Sequence, residues 1–179
     1  MDDLSHPGRD GVVSGYSEAR AELHDLLTSS SVEALKAGSI GTRWTNEQLL
    51  FHMVFGYMVA RALLPLVRMF SRLPPWVSHG FAGILNAGSR PFDVVNYWGS
   101  RWGATVFNRH RLEAQLDRTL RALIRNLARE TDDSLRSAMA FPTRWDPFFR
   151  PIMSIAEVYA YPTQHFNFHR QQLSLTEGR

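Results

Sequence analysis

The stretch TNEQLLFHMVFGYMVARA, residues 45–62, carries the reading of the fold. Thr45 and Gln48 stand three residues apart at its head. At that spacing an N-cap hydroxyl and an N3 amide each bond the other's backbone N–H, so a helix is expected to open there. Phe51, Val54, Phe55, Met58, Val59 and Ala62 then recur at helical spacing. The uncharged run from Leu49 to Ala60 lasts about twelve residues, short of the roughly twenty needed to span a bilayer. It therefore predicts a buried core helix, kinked or ended at Pro65. One histidine, His52, is set into this apolar run between Phe51 and Met53.

Working outward, a first helix is expected over 17–36, with Ser17 as its N-cap and Ala19, Leu23, Leu26, Leu27 and Ala34 on its apolar face. Residues 1–15 are polar and rich in glycine and read as a flexible tail. The region 71–103 is punctuated by Pro74, Pro75, Gly80, Gly83, Gly88, Pro91, Gly99 and Gly103, yet it carries Trp76, Phe81, Phe92, Tyr97, Trp98 and Trp102. So aromatic a segment predicts short helical pieces packed on the domain, serving as a lid or a homodimer contact. A third helix is expected over 104–129, with Leu112, Leu116, Leu120, Leu123 and Leu127 on one face. A weaker piece follows over 131–140, then a proline-rich loop over 141–151. The last helix is expected over 154–175, opened by a second capping box of Ser154 and Glu157 and kinked at Pro162. No strand of period two and no internal repeat is visible. The expected fold is all-α: a single four-helix bundle over 16–176, with a long irregular aromatic connection between its second and third helices.

Composition narrows the chemistry. The chain has 179 residues, of which 44% are hydrophobic and 21% charged, an ordinary balance for one globular domain. It has no cysteine, which excludes disulfides, thiolate metal sites, iron–sulfur clusters and a cysteine nucleophile. A transition metal would have to be held by histidine and carboxylate. The net charge is +3, with arginine as almost the whole basic complement. Arg118, Arg121, Arg125 and Arg129 form a run on one helix, but Glu113, Asp117 and Glu130 interrupt it, so a solvated helix face is expected rather than a nucleic-acid surface. With neither a signal peptide nor a membrane span in view, a cytoplasmic location is expected.

Of seven histidines, His6 and His24 read as solvent-facing, and His79 and His110 as bystanders. His165 and His169 stand four apart on the last helix, so both imidazoles leave one face about one turn apart and can reach one ion. His52 needs a partner on its apolar helix. In an antiparallel bundle it can lie opposite the pair, giving three neutral ligands and a fourth position for water, the form of a catalytic zinc site. Candidate pocket walls are Phe55, Gly56, Trp98, Trp102 and Phe168.

The segment GTRWTNEQLLFH, ending at His52, and the C-terminal MSIAEVYAYPTQHFNFHRQQL resemble the DinB-like (DinB/YfiT) superfamily of metal-dependent four-helix proteins. That family places one ligand on helix two, soon after a W-[ST] helix start, and two more in an H-x-x-x-H near the end of the last helix, followed by a glutamine-containing tail. Trp44-Thr45, His52, His165, His169 and Gln172 match that order, and the resemblance runs from about residue 17 to 175. It implies one divalent metal, zinc or nickel, on His52, His165 and His169. It further implies a thiol-dependent S-transferase, or a related transferase or isomerase, acting on a small electrophilic molecule with a low-molecular-weight thiol as cosubstrate.

Two departures are visible. The middle segment is longer and more aromatic than in a minimal member, which points to a specialised pocket. The extra C-terminal domain of the maleylpyruvate isomerases is not seen, which argues against that isomerase. Glu157 is accounted for as a helix cap, and Glu47 lies off the face of His52. With no strong general base in view, thiol transfer or binding is favoured over a metal-dependent hydrolase. The rival reading is a non-catalytic metal-containing protein that binds a small molecule or serves in stress response.

Overall fold

The computed structural model describes residues 8–88, 97, 99, 103 and 109–175. Thr45 caps helix α3, Asn46–Phe70, as expected: its hydroxyl accepts from the Gln48 N–H while the Gln48 amide accepts from the Thr45 N–H. The helix does not stop at Pro65, which lies on its exposed side, where the lost N–H bond is tolerated. At 25 residues, α3 is long and apolar enough to cross a membrane, but 56% of its most apolar 18-residue window is buried in the protein, as in a core helix.

The other elements assemble around α3. Helix α1 runs Arg9–Ser29 and the short α2 runs Val32–Lys36. Ser17 is therefore not a cap, and residues 9–15 are not a tail. Their glycines gave the appearance of one, but Val12 and Tyr16 continue the buried stripe of Ala19, Leu23 and Leu27. Arg9 also fixes the first turn, donating to the Leu127 carbonyl at 2.8 Å and to Asp132 at 2.9 Å. The supposed single helix breaks at Ser30, and Ser31 caps α2. Within the expected irregular region, residues 75–87 form one helix, α4 (Pro75–Ala87), opened by Pro75 at its first position.

Helix α5, Arg109–Leu127, buries the five leucines of its predicted face. The weak piece after it is the one-turn helix α6, Asp132–Arg136, capped by Thr131. Two three-residue strands, unforeseen in the sequence, follow as β1 (Ala138–Ala140) and β2 (Ile152–Ser154). They pair antiparallel, with Met139 opposite Met153. Strands so short leave no period to read; their effect is to close the base of the loop 141–151. Strand β2 leads directly into α7, Ile155–Arg170, whose capping box of Ser154 and Glu157 is formed as expected. Pro162 lies inside α7 without ending it.

The architecture is all-α apart from this small ribbon. Helix α3 packs on α7 and α5, and α1 packs on α5 and α7. The fully buried side chains Tyr16, Tyr57, Tyr159 and Phe166 lie among leucines of the same four helices. A Cβ on Gly15 of α1 would meet Thr163 of α7 at 3.0 Å, so a small residue permits this close crossing. The C-terminal segment folds back over the head of α3. Buried Asn46 donates to the Ala34 carbonyl and to Ser174 Oγ, and its own side-chain oxygen accepts from the Ser174 N–H at 3.0 Å.

Candidate metal centre

Helix α3 carries His52 six residues beyond its first residue, and the last turns of α7 carry His165 and His169. The helix pairing brings the three imidazoles together. Ring centroids lie 4.9 Å apart for His52–His165, 4.8 Å for His52–His169 and 4.5 Å for His165–His169. One ring nitrogen from each falls within 4.8 Å of the others. His52 and His165 are almost wholly buried and His169 partly so.

Each histidine of the α7 pair is oriented through its Nδ1. His165 Nδ1 lies 3.0 Å from Asp146 Oδ2, and His169 Nδ1 lies 2.7 Å from Gln172 Oε1. An ionised carboxylate and an amide oxygen can only accept, so both Nδ1 atoms carry the proton and both Nε2 atoms present a lone pair. His165 Nε2 is buried and has no hydrogen-bond partner. A buried nitrogen lone pair beside two further imidazoles is a costly arrangement for a bare protein. It is well matched to a divalent cation of borderline softness. The donor set thus fits the metal that the sequence leads one to expect.

The electrostatics favour the same protonation state. Burial pushes the His52 imidazolium down well below the usual histidine range, and the other two histidines add to this. His169 is lowered to about 4, by burial first and then by His165. Burial alone would raise the Asp146 carboxyl, but its bonds with His165, the Phe148 N–H and the Tyr161 hydroxyl outweigh that and hold it below the ordinary carboxylate range. At neutral pH the His52 and His169 rings are neutral and Asp146 is charged, as ligation requires.

The surroundings explain how two helices come this close. A Cβ on Gly56 would sit 2.7 Å from His165 Cδ2, so only glycine lets that ring lie against α3. Trp44, just before the helix cap, covers His52 with ring centroids 4.5 Å apart. Beside the histidines opens a cavity of about 470 Å³. Of the five expected wall residues, Phe55, Gly56 and Phe168 line it, and Trp98 and Trp102 lie outside the described residues.

Asp146 went unnoticed in the sequence. It sits in the loop 141–151, nineteen residues before His165, with no periodicity to connect them. The available signal was a lone acid, Trp-Asp-Pro, in an otherwise aromatic and proline-rich loop. Among the other acids, Glu157 is taken up by the α7 cap and by an ion pair with Arg150. His24 pairs at the surface with Glu113, at 2.7 Å.

A family model described as the DinB superfamily matches residues 16–173. No curated protein and no solved structure was found to match the chain.

Proposed function

The chain belongs to the DinB superfamily, and from that premise we propose that it is a metal-dependent enzyme. In this reading His52, His165 and His169 hold one divalent ion, zinc or nickel, and the reaction is the transfer of a low-molecular-weight thiol to a small electrophilic molecule. The observation that carries the reading is the buried, partnerless His165 Nε2 at the meeting of three imidazoles. Bound there, a divalent cation would keep its full charge among neutral ligands and supply the Lewis acidity that favours a thiolate at neutral pH.

The chain's own residues do the rest. Asp146 and Gln172 fix the tautomers of His165 and His169, so their lone pairs need no reorganisation. Trp44 covers the His52 ring, and Phe168 packs edge-on with His169. The apolar cavity wall keeps water from competing for the electrophile. The chain has no cysteine, so the sulfur comes from a cosubstrate. Its thiol proton passes to solvent, and a sulfur–carbon bond forms as the bond to the leaving group breaks.

Hydrolysis is disfavoured by the acids. Among the described residues that line the cavity, Asp146 is the one carboxylate, and both its oxygens are already engaged in orienting neighbours. The apolar wall also suits a second reading, a metal-containing protein that binds a small molecule without transforming it.

Two measurements separate these readings. Metal analysis of the purified protein is expected to give about one ion per chain. Conjugation of a low-molecular-weight thiol to monochlorobimane is expected with the loaded protein and is expected to vanish after chelation. Metal without conjugation leaves the binding protein, and neither result leaves only the fold.

A further inference from the structure

Helix α3 is apolar on two sides, and only one of them is filled. Leu50, Met53, Val54, Tyr57, Ala60, Leu64 and Val67 are fully buried in the core. Phe55, Val59, Leu63 and Leu66 form a second row at helical spacing, and each stays partly exposed. That row begins one turn beyond His52, on the cavity side. From His52 to Leu66 the helix advances fourteen residues, or roughly 21 Å at 1.5 Å per residue.

Across the cavity stand Phe81 and Leu85 of α4. The α4 wall is tied to the loop that carries Asp146: Trp145 Nε1 donates to the Leu85 carbonyl at 2.8 Å, and the Arg144 N–H donates to Asn86 Oδ1 at 3.1 Å. Loop and helix are therefore tied into one wall, and the cavity extends along α3 as a channel, its lining residues on that helix running from His52 at one end to Leu66 at the other.

Away from the histidines the described lining of the channel is apolar. Among the described lining residues no lysine or arginine appears, and Asp146 and the three histidines are gathered at the head. A small polar electrophile would leave the part of the channel beyond the histidines in contact with water and unused. An apolar row of four side chains facing a void is stable chiefly when something apolar displaces the water from it.

We propose that the ligand of this site is an elongated, uncharged apolar chain, such as a medium-length alkyl, acyl or isoprenoid group, lying along α3 with its polar or reactive end at the three histidines. The placement of the reactive end rests on the metal reading above; the chain-binding channel does not.

The test measures displacement of the uncharged dye N-phenyl-1-naphthylamine by butan-1-ol, octan-1-ol and dodecan-1-ol, with zinc content determined on the same samples. Each buried methylene is worth about fourfold in affinity, so octan-1-ol should compete on the order of a hundredfold better than butan-1-ol. Leu63→Trp, which fills the channel about three-quarters of the way from His52 to Leu66, should erase the gain from octan-1-ol to dodecan-1-ol. Val59→Trp, one turn nearer the histidines, should cut the gain off at shorter chains. Circular dichroism checks that both variants are folded. Equal competition by all three alcohols, or full length dependence in both folded variants, overturns the proposal. Zinc binding without length dependence defeats the channel and spares the metal site. Length dependence in a protein that binds no zinc upholds the channel and defeats the metal site.

Discussion

Two polar clusters are buried where α3 meets α7, one near each end of α3, and they are built to opposite rules. At the C-terminal end, Glu130 has 7% of its side chain exposed and every bond answered. Arg68 and the Tyr159 hydroxyl meet its Oε1, and the Ser134 hydroxyl meets its Oε2. Burial pushes the Glu130 carboxyl up, but the bonds from Ser134 and Arg68 outweigh burial and keep it below the usual range. At the N-terminal end, three histidines face one another and a buried nitrogen is left without a partner. A network closed on itself holds helices in register. A cluster whose ring nitrogens converge, and whose outer atoms are fixed by Asp146 and Gln172, has the arrangement that the proposed metal site requires. Burial of polar groups alone therefore does not separate the two clusters; convergence of three ring nitrogens on one point does.

The contrast is broken most severely at His52. His52→Ala or His169→Ala is expected to take the metal content from about one ion per chain to none, with circular dichroism showing retained helix. Retention of a full equivalent by both variants, measured by inductively coupled plasma mass spectrometry, would reject the three-histidine site. Glu130→Ala should do the reverse. It leaves the partly exposed Arg68 and the Ser134 and Tyr159 hydroxyls without their acceptor and is expected to cost about 1–3 kcal/mol in urea denaturation while leaving the metal content unchanged. Loss of metal in that variant would mean that the two clusters are not independent.

A subtler change tests the outer atoms of the open cluster. Asp146→Asn keeps the shape of the side chain but removes the charge that fixes the His165 tautomer. It is expected to weaken zinc binding about 10- to 100-fold in a competition titration, with one ion still bound at saturation. An unchanged affinity would reduce Asp146 to a loop anchor for Tyr161 and Phe148.

What the sequence makes legible follows from locality, and the Glu130 cluster, drawn from distant segments, is not legible there. Both capping boxes lie within four residues of chain, and both were legible. His165 and His169 share one helix face, and the His52 ring stood out against an apolar run, so the triad could be assembled from helix geometry and family resemblance together. Asp146 could not, because a 19-residue separation and a loop erase any period. The start of α1 was misread because Gly8, Gly11 and Gly15 signal a tail locally, whereas the burial of Val12 and Tyr16 and the reach of Arg9 to Leu127 are tertiary facts. The β1–β2 ribbon was invisible for the same reason: its stability comes from closing a loop, not from three residues of propensity. The second apolar face of α3 was present in the sequence throughout, but which side meets the core and which the cavity depends on where α4 packs.

The mildest perturbation leaves every side chain in place and changes only the proton concentration. In the metal-free protein His52 lies well below its unfolded pKa and His169 near 4, both first through burial. Between these folded values and the ordinary histidine value of 6.5, the unfolded chain takes up protons that the folded chain refuses. Stability therefore rises with pH across this interval, and the melting temperature of the metal-free protein is expected to fall as pH is lowered from about 7 toward 4. The closed cluster adds nothing in the upper part of that interval. Glu130 is already ionised there in both states, and its contribution is lost only once the pH drops below the ordinary carboxylate range. A His52→Ala, His169→Ala double variant should flatten the upper part of the profile and leave the acid limb intact, and a Glu130→Gln variant should do the opposite. A double-histidine variant that melts with an unchanged profile between pH 7 and 5 would show that His52 and His169 are not neutral partners in a buried site, and the contrast between the two ends of α3 would fail with them.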